Sequence, residues 1–487
     1  MMLRDLLLDY PVSSVTGDPE VTVRDIQYDS RRVKEGDLFC TWKGHQSDGH
    51  RFISQSVQSG ASAVVLEEVP SSLPDCTVVE VDSGRKILAH LAAEYYRRPA
   101  ESLETIAITG TNGKTSTAFC LYALLSAAER KTGLIGTIEN RLGDEVVNSE
   151  RTTPESLEIQ EMLRRMVEAG CSHAVLETSS HALDQHRVDK IPFRLGVFTQ
   201  LSQDHMDYHG TMENYFAAKA SLFQNLGPSS AGIINIGTEY GIDMQNEVSS
   251  RAKVLTYAVG QDADHSAFDP NYYARGSSFI WKSAVGSHEV MTPWLGQFNL
   301  ENVLAAMAAA AELGIPAETI VSAIATVPAV KGRLQRLSSE DDPFLVLLDY
   351  AHTPDAVIKL LRTLRPITKG KLRILIGCGG DRDRSKRSLM AGAAMAGADD
   401  VMFTSDNPRS EFPGQILDDM TEGLDPSTFT REEDRAHAIE VIMQKLEPDD
   451  VLVLAGKGHE EYQEISGAKH SFSDAVIAHR CLEEIRS

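Results

Sequence analysis

The sequence predicts an α/β protein with parallel sheets, and three observations lead to this prediction. The chain has 487 residues, which is too long for one ordinary hydrophobic core. Residues 103–137 have the pattern of strand, glycine turn, helix and strand, which is typical of a β-α-β unit. From about residue 335, apolar strands and helical segments alternate again. We therefore expect a smaller α/β domain over 1–98, a central parallel-sheet domain over 99–332 and a Rossmann-like α/β domain over 333–487.

Periodicity assigns the elements of each domain in turn. In the first domain, residues 62–68 and 76–82 resemble strands, and a helix that begins at residue 87 stops before Pro99. Further strands are predicted in the central domain, followed by an Ala-rich helix that ends at Gly314. These central strands lie within 173–181, 195–202 and 231–237. In the third domain each buried strand ends in a polar or glycine-rich loop, the usual location of ligands in open α/β sheets.

Composition excludes several classes of protein. Asp and Glu number 70 against 47 Lys and Arg, and the formal charge of -23 disfavours a nucleic-acid partner. The sequence contains no apolar run of about 18 residues, so we expect no membrane insertion. Asp5 and Asp9 interrupt the apolar start and argue against a signal peptide, which favours the cytoplasm. The six cysteines lie far apart, so neither a zinc site nor a disulfide scaffold is expected.

The segment "TGTNGKTST", residues 109–117, resembles a loop that binds phosphate. Gly110 and Gly113 allow backbone N–H groups to turn toward a phosphate, and Lys114 supplies a positive charge. The Thr115 hydroxyl would reach a magnesium ion at the start of the following helix. Two residues separate the glycines where the common form of this loop has four. A glycine turn without a ligand is the alternative interpretation.

Metal ligands are expected at the ends of the next strands. Glu177 ends one predicted strand and His205 follows another, so both could contact magnesium or its waters. A solvated loop carboxylate and a structural histidine are the alternatives, and Lys219 would ordinarily be an exposed helix lysine. Spacing does not choose between His205 and the nearby candidates Asp204, Asp207 and His209.

Six segments together resemble the Mur ligase family, the ATP-dependent amide-bond-forming enzymes of peptidoglycan precursor synthesis. The segments are "TGTNGKT", "LETSSHALDQHRV", "SQDHMDYHGTMENYFAAKASLF", "GQFNLENVLAA", "VKGRLQRL" and "LDYAHTP". Their order and spacing match the family over essentially the whole chain. Gln200 is a departure, because family members often carry Asn there.

The resemblance implies an ATP site with Mg2+ in the central domain. Lys219 occupies the position of a carbamylated lysine, which would hold a second metal ion together with Glu177 and His205. Lys114 and Thr115 would stabilise the phosphates and the first metal ion. The implied catalytic residues are thus Lys114, Glu177, His205 and Lys219. The implied ATP-binding residues are Gly110, Thr111, Asn112, Gly113, Lys114, Thr115, Ser116, Asn302, Arg333, Asp349 and His352.

Within the family, the chain resembles the members that add the third amino acid to UDP-N-acetylmuramoyl-L-alanyl-D-glutamate. A substrate carboxylate would take the γ-phosphate of ATP, and an amine would then displace phosphate from the acyl phosphate. Residues 28–53 resemble the UDP-binding region of the N-terminal domain. The implied residues for the UDP-muramoyl-dipeptide are Ser30, His45, Gln46, Thr152, Thr153, Ser179, Gln185 and Arg187.

The added amino acid is predicted to be meso-2,6-diaminopimelate. It differs from L-lysine by a distal carboxylate, which Arg409 in "DNPRSE" could bind with paired hydrogen bonds. The remaining residues assigned to this amino acid are Arg387, Asp406, Asn407, Pro408, Gly456 and Glu460.

Several alternatives stay open. Addition of L-lysine and a ligase similar to folylpolyglutamate synthase are the nearest ones. A P-loop NTPase that hydrolyses ATP as a switch, and a nucleotide-binding module without turnover, belong to different classes. We expect small-molecule substrates and a monomer.

Overall fold

The computed structural model describes residues 1–44, 47–70, 72 and 74–486. The chain divides into two compact units, Met1–Tyr257 with Ala305–Ile315, and Ala258–Leu304 with Pro316–Ser487. Both units combine helices with sheets that contain runs of parallel strands, so the predicted α/β class is confirmed. The domain boundaries near residues 98 and 332 stay predictions.

The first unit begins with a small five-stranded sheet. Its strands are β1 (Ser14–Thr16), β2 (Ile26–Gln27), β3 (Leu38–Cys40), β4 (Ala63–Leu66) and β5 (Thr77–Glu80), and its helices are α1 (Leu3–Leu6), α2 (Ile53–Gln58) and α3 (Gly84–Tyr95). The spatial order is β1-β5-β4-β3-β2, with β1 antiparallel to its neighbour. The expected strands and helix of this region are confirmed. Helix α3 ends before Pro99 because Arg97 and Arg98 adopt left-handed backbone conformations.

A larger sheet forms the rest of the first unit. The strands are β6 (Glu104–Thr109), β7 (Thr132–Ile135), β8 (Glu139–Leu142), β9 (Glu145–Asn148), β10 (His173–Glu177), β11 (Leu195–Phe198), β12 (Ala231–Asn235) and β13 (Lys253–Val259). The helices are α4 (Lys114–Ala127), α5 (Ser156–Glu168), α6 (Ser180–Asp184), α7 (Met206–His209), α8 (Met212–Gln224) and α9 (Gly241–Asn246). The spatial order of these strands is β13-β12-β11-β6-β10-β7-β8-β9, and the run from β13 to β7 is parallel.

This order explains where the site lies. Strand β6 is buried along nearly its whole length and sits between β10 and β11, with β7 beyond β10. Buried parallel strands are rich in Val, Ile and Leu because helices cover both faces. The chain leaves β6 for β7 on one side and later returns to β11 on the other. In open α/β sheets, ligands bind at the carboxyl ends of strands where the order changes in this way.

The second unit starts with the antiparallel strands β14 (His265–Tyr273), β15 (Gly276–Ser283) and β16 (Gly286–Thr292). Helix α10 (Gln297–Glu312) follows, and its residues from Ala305 onward belong to the first unit. Helix α11 (Ala317–Ile324) lies in the second unit. The Ala-rich helix is therefore confirmed, and Gly314 beyond its end has a φ of +79°.

The last sheet has six strands: β17 (Gln335–Arg336), β18 (Leu345–Asp349), β19 (Leu372–Ile376), β20 (Asp400–Phe403), β21 (Thr430–Arg431) and β22 (Val451–Ala455). Its spatial order is β17-β18-β22-β19-β20-β21, and every pair except β17 with β18 is parallel. The helices are α12 (Pro354–Leu364), α13 (Ser385–Gly397), α14 (Pro413–Thr421), α15 (Arg435–Met443) and α16 (Asp474–Arg486), and β23 (Tyr462–Ile465) pairs with β24 (Ala468–Ser471) as a hairpin.

Candidate functional site

The loop after β6 has the backbone of a phosphate cradle. Gly110 has a φ of +150° and Gly113 a φ of +90°, which other residues rarely adopt. A Cβ on Gly110 would lie 1.9 Å from Thr199 Oγ1, which itself donates to the carbonyl of Asn112 at 2.6 Å. Because α4 begins at Lys114, the N–H groups at the start of this helix lie beside the loop. The predicted combination of glycine turn and helix N-terminus is confirmed.

Lysine 114 folds back onto this loop. Its Nζ donates to the carbonyl oxygens of Gly110, at 2.8 Å, and of Thr111, at 3.0 Å. Thr111 Oγ1 lies 3.0 Å from Tyr215 Oη, which ties the loop to α8. Thr115 and Ser116 are buried in the first turn of α4. The positive charge is thus held against the loop that would receive phosphate.

A buried carboxylate lies beside the start of α4. Glu177 Oε2 accepts hydrogen bonds from Thr115 Oγ1 at 2.8 Å and from Thr137 Oγ1 at 2.9 Å. Its Oε1 accepts from the Thr137 N–H at 2.8 Å, and a Cβ on Gly136 would lie 2.5 Å from the same oxygen. Glu177 therefore belongs to a preformed cluster, and the alternative of a solvated loop carboxylate is wrong. Sequence reasoning missed Thr137, whose only signal is its position after β7.

The oxygen atoms of this cluster are suitable ligands for magnesium. A carboxylate and two hydroxyl oxygens are hard ligands of the kind that Mg2+ prefers. Among the described residues, no group of three or more His, Cys, Asp and Glu side chains is placed to share a metal ion. The predicted ligand set of Thr115, Glu177, His205 and Lys219 therefore stays a prediction, although Thr115 and Glu177 are in contact.

Lysine 219 is buried beneath the loop. Its Nζ donates to the Gly110 carbonyl at 3.1 Å and lies 4.7 Å from the centre of the Tyr215 ring. Burial lowers the pKa of Lys219 well below its usual value, and the nearby Lys114 lowers it further while Asp204 opposes the change. The alternative of an exposed helix lysine is wrong. The amine is instead a buried group with a strong tendency to be neutral.

His205 belongs to an aromatic cluster. It has a left-handed backbone, and its ring centre lies 4.8 Å from His181 and 6.3 Å from Tyr215. Burial lowers the pKa of His205, although Asp204 opposes this effect. His209 Nε2 lies 3.0 Å from Ser180 Oγ. His205 and Lys219 thus share Tyr215 as a neighbour.

The residues assigned to the dipeptide part of the substrate lie together. Arg187 donates to the Thr153 carbonyl at 2.8 Å and to Gln185 Oε1 at 2.7 Å. Thr153 Oγ1 donates to the Glu177 carbonyl at 2.8 Å and accepts from the Ser179 N–H at 3.0 Å. Thr152 Oγ1 lies 3.1 Å from Thr137 Oγ1, which connects this group to the Glu177 cluster.

The residues assigned to the uridine are less completely described. Ser30 is buried in the first sheet region. His45 and Gln46 lie outside the described residues, so their assignment stays a prediction.

In the second unit, part of the predicted nucleotide group surrounds Tyr350. The Arg333 guanidinium lies 4.7 Å from the Tyr350 ring centre, and the ring of His352 lies 4.6 Å from it. Asp349 accepts from the N–H groups of Leu334 at 2.7 Å and Ala351 at 2.8 Å, and its burial raises its pKa.

Two members of this region have buried nitrogens without a hydrogen bond. They are Arg333 Nε and Nδ1 of His459, a residue that sequence reasoning missed and whose ring lies 5.3 Å from Tyr350. Asn302 is buried in α10, and its Nδ2 lies 3.5 Å from Asn299 Oδ1.

The loops after β20 and β22 bring the predicted amino-acid group together. Asn407 Nδ2 donates to Glu460 Oε2 at 2.8 Å, and a Cβ on Gly456 would lie 2.7 Å from Asp406 Oδ2. Lys457, which sequence reasoning missed, is fully buried between them. Its Nζ donates to Asn407 Oδ1 at 3.0 Å and to Glu460 Oε2 at 3.1 Å.

The two arginines assigned to this group differ in their partners. Arg409 Nε lies 3.2 Å from Glu464 Oε2, and Arg409 Nη1 donates to the Gly380 carbonyl at 2.7 Å. Arg387 is buried and already pairs with Glu411 and Asp419, each at 2.7 Å. Pro408 contributes its carbonyl, which accepts from the Glu411 N–H at 3.0 Å. A ligand carboxylate would have to share Arg387 with two protein carboxylates, whereas Arg409 forms one ion pair among the described residues, with Glu464.

A buried ion pair supports these loops from below. Arg435 and Asp474 are joined by two hydrogen bonds, of 2.8 and 2.6 Å. The same guanidinium donates to the carbonyls of Ser405 at 3.2 Å and Ala455 at 2.9 Å. Arg435 therefore connects the chain leaving β20 with the end of β22. No motif in the sequence signals this pair.

Three family models match the chain. The model described as "Mur ligase family, catalytic domain" matches residues 22–96. The "Mur ligase middle domain" matches 108–310, and the "Mur ligase, glutamate ligase domain" matches 332–458.

Curated relatives match over the whole length. A protein of Clostridium acetobutylicum named "UDP-N-acetylmuramoyl-L-alanyl-D-glutamate--2,6-diaminopimelate ligase 1" is 39% identical over 488 residues, covering 100% of both chains. A protein of Synechococcus elongatus named "UDP-N-acetylmuramoyl-L-alanyl-D-glutamate--2,6-diaminopimelate ligase" is 41% identical over 497 residues and also covers 100% of both chains.

Solved structures are similar as well. A structure described as "UDP-N-acetylmuramoyl-L-alanyl-D-glutamate--2, 6-diaminopimelate ligase" is 34% identical, with a TM-score of 0.73 and coverage of 100% of this chain and 99% of that chain. A folylpolyglutamate synthase of Mycobacterium tuberculosis is 20% identical, with a TM-score of 0.61 and coverage of 75% and 91%. At that identity the likeness concerns the fold alone. Among the described residues, no helix is long and apolar enough to cross a membrane.

Proposed function

Because the chain belongs to the Mur ligase family, we propose that it joins meso-2,6-diaminopimelate to UDP-N-acetylmuramoyl-L-alanyl-D-glutamate at the expense of ATP. Relatives that carry this activity in their names match the whole chain at 39% and 41% identity. The observation that carries the proposal is the buried Glu177, which contacts Thr115 and Thr137 beside a glycine loop and a helix N-terminus. This arrangement suits the transfer of a phosphoryl group.

Thr115 and Glu177 would hold a magnesium ion at this position, and a magnesium ion neutralises charge on the phosphates of ATP. The N–H groups of the loop and the Lys114 ammonium bind the β- and γ-phosphates. The glutamate side-chain carboxylate of the substrate attacks the γ-phosphorus, the bond to the β-phosphate oxygen breaks, and ADP leaves. An amine then attacks the acyl phosphate, loses a proton and expels phosphate. The protein contributes positioning and charge stabilisation.

Lys219 is proposed to carry a carbamate. A neutral amine is required to attack CO₂: the new N–C bond forms, the nitrogen loses a proton, and a carboxylate-like group results. The lowered pKa of the buried Lys219 supplies the neutral amine. The modified side chain, Glu177 and His205 would then provide a second set of ligands for Mg2+.

The amino-acid group in the second unit supports diaminopimelate over L-lysine. Arg409 is a cation whose ion pair, within the part of the chain that the structure describes, is with Glu464 at 3.2 Å. The distal carboxylate of diaminopimelate would pair with this guanidinium, and lysine has no such group. Asp406, Asn407 and Glu460 offer oxygen acceptors for an ammonium group.

The assignments of Asn302, Arg333, Asp349 and His352 to the nucleotide stay predictions, as do the cytoplasmic location and the monomeric state.

An amide-forming assay tests the proposal. Phosphate release should require the UDP-muramoyl-dipeptide and diaminopimelate together, and L-lysine should support much less. Phosphate release without either acceptor would indicate a nucleotide switch, and preference for lysine would contradict the assigned amino acid.

Arg409→Ala should lower kcat/KM for diaminopimelate by about 100-fold, the scale of one charge-assisted pair. Arg365→Ala is the control, because Arg365 forms an exposed pair with Asp399. Retained selectivity in Arg409→Ala would contradict the role of Arg409.

A further inference from the structure

Two glycines of the second unit bring distant segments of the chain into backbone contact. Gly332 has a φ of +70° and Gly458 a φ of +52°, which favour glycine. A Cβ on Gly332 would lie 2.2 Å from the backbone nitrogen of His459, and a Cβ on Gly458 would lie 2.7 Å from Tyr350 Cβ. The segments around the two glycines therefore pack directly on each other, with no room for a side chain between them.

Aromatic rings lie at this contact and hold a guanidinium group. The Arg333 guanidinium carbon lies 4.7 Å from the centre of the Tyr350 ring, and the centre of the His459 ring lies 5.3 Å from it. In the part of the chain that the structure describes, the buried Arg333 Nε and His459 Nδ1 have no hydrogen-bond partner. Packing on the Tyr350 ring therefore positions Arg333 without using the hydrogen bond that its Nε offers.

The segment that carries His459 also carries two residues of the amino-acid group. Lys457 Nζ donates to Glu460 Oε2 at 3.1 Å, and the Glu460 N–H donates to the Lys457 carbonyl at 3.0 Å. Burial, with a smaller contribution from Glu460, raises the pKa of Tyr350 to about 12, and Arg333 opposes this rise. The Tyr350 ring is thus close to charges of both predicted ligand groups.

Two further links join the same loops. Lys331 Nζ lies 2.5 Å from Glu461 Oε1 in an exposed ion pair. The Gly456 N–H donates to the Asp349 carbonyl at 3.1 Å, at the point where β18 and β22 end side by side. A shift of one loop therefore shifts the other, so a ligand that fixes either loop restricts both.

We propose that Tyr350 and His459 are positioning residues that couple the nucleotide to the amino acid, so that each ligand strengthens the binding of the other. This inference rests on the proposed function, in which Arg333 contacts the nucleotide and Glu460 the amino acid. The first ligand restricts the shared contact, and the second then binds to residues that are already in place. Because a coupling free energy is reciprocal, each ligand changes the affinity of the other by the same factor.

Calorimetry on the full chain measures this coupling. The probes are diaminopimelate and a non-hydrolysable ATP analogue with Mg2+, each titrated with and without the other, and the UDP-muramoyl-dipeptide saturates the protein throughout. The coupling factor is the ratio of the two dissociation constants for one probe. The variants His459→Ala and Tyr350→Leu each remove one ring. His437→Ala, at an exposed histidine of the same unit, is the matched control.

We expect a coupling factor of about 10 in the unmodified chain and in His437→Ala, within the usual range for coupled sites. His459→Ala and Tyr350→Leu should lower the factor to about 2 or less, while the affinity for each ligand alone changes by less than about 3-fold. His459→Phe and Tyr350→Phe keep a ring at each position and should restore most of the factor.

A coupling factor of about 1 in the unmodified chain would overturn the inference. An unchanged factor in His459→Ala and Tyr350→Leu would also overturn it, even if both variants bound each ligand more weakly, because the rings would then have a structural role alone. Failure of the proposed function is distinguishable, since in that case the unmodified chain would form no amide from these substrates.

Thermal midpoints show whether each variant is folded. If His459→Ala is unfolded, Lys331→Met tests the same contact, because it removes only the exposed pair with Glu461. We expect Lys331→Met to lower the coupling factor by about 2-fold, the scale of one exposed ion pair. Lys359→Met, which breaks an exposed pair on α12, should leave the factor unchanged. Equal factors in these two lysine variants would contradict the coupling.

Discussion

Single side chains in this protein acquire their chemistry from burial. Lys219 lies under the phosphate loop, where the Gly110 carbonyl and the Tyr215 ring are its neighbours and its pKa is well below the usual value. A charged lysine here would be poorly solvated and would lie near Lys114. Conversion to a carbamate removes the positive charge and supplies oxygen ligands.

Activity should therefore depend on Lys219 and on CO₂. We expect Lys219→Ala to lower kcat by at least about 100-fold, because the charge needed at the phosphates is lost. In CO₂-depleted buffer the unmodified protein should lose activity and regain it on addition of bicarbonate. Steady-state assays measure both effects on activity. Mass spectrometry of the trapped side chain detects the carbamate. Lys253→Ala, at an exposed lysine, is the control. Full activity of Lys219→Ala would contradict the role.

Lys457 sets the orientation of a neighbouring amide. Because Lys457 Nζ and the Glu464 N–H both donate to Asn407 Oδ1, the Asn407 amide nitrogen is turned toward Glu460. Glu460 is in turn paired with the same ammonium.

We expect Lys457→Met to raise KM for diaminopimelate by about 10-fold, with kcat and KM for ATP changed much less, because a charge-assisted contact that positions two ligands is lost. Lys469→Met is a matched control. Lys457 and Lys469 both lie over the Tyr462 ring, at 5.7 and 4.3 Å from its centre, and Lys469 is exposed on the hairpin. An equal effect on all three parameters would indicate general destabilisation instead.

At the scale of elements, a buried ion pair connects the carboxyl ends of the parallel strands β20 and β22. Arg435 at the start of α15 and Asp474 at the start of α16 form a pair that is fully buried. Through Ser405 and Ala455, the pair connects the loops that carry the predicted amino-acid residues.

Breaking this pair should cost much more than breaking a surface pair. Asp474→Asn leaves Arg435 as a buried charge without a counter-ion, so we expect a loss of about 3–5 kcal/mol in unfolding free energy. Arg431→Gln, which disrupts a more exposed pair with Asp418, should cost less than about 1 kcal/mol. Urea denaturation followed by fluorescence measures both. Similar losses of unfolding free energy in the two variants would show that burial does not control how much an ion pair contributes to stability.

At the scale of the whole molecule, both units contain buried or partly buried histidines with lowered pKa values. Burial lowers the pKa of His90 and His173 in the first unit, and it lowers the pKa of His459 in the second unit to about 4. In the unfolded chain these groups bind protons near pH 6.5. The unfolded state therefore gains protons first when the pH falls.

Stability should fall as the pH is lowered from about 6.5 toward 4 and change less from these groups below that range. His459 alone should contribute on the order of 1–2 kcal/mol, after allowance for its partial exposure. Thermal midpoints between pH 7.5 and 4.5 measure the effect. His459→Gln should flatten the profile, and the exposed His437→Gln should not. A profile that is equally steep in His459→Gln would contradict the contribution of His459.

The sequence predicted much of the site, because local signals mark it. Gly110, Gly113 and Lys114 form a continuous motif whose glycines need unusual backbone conformations. The buried strands were recognisable because parallel strands covered on both faces consist largely of Val, Ile and Leu. Thr137, Lys457, His459 and the Arg435–Asp474 pair have no such local signal, so they were missed.

The sequence by itself determined the α/β class, the glycine loop before α4 and membership of the Mur ligase family, because local periodicity and continuous motifs indicate all three. Only the tertiary structure decided that Thr137 meets Glu177, that Lys219 is buried, and that Gly332 packs against Gly458. Strands β7 and β10 become neighbours through sheet order, and Gly458 reaches Gly332 from the loop after β22. Burial and charge neighbours are properties of such non-local packing, and they set the chemistry of each side chain.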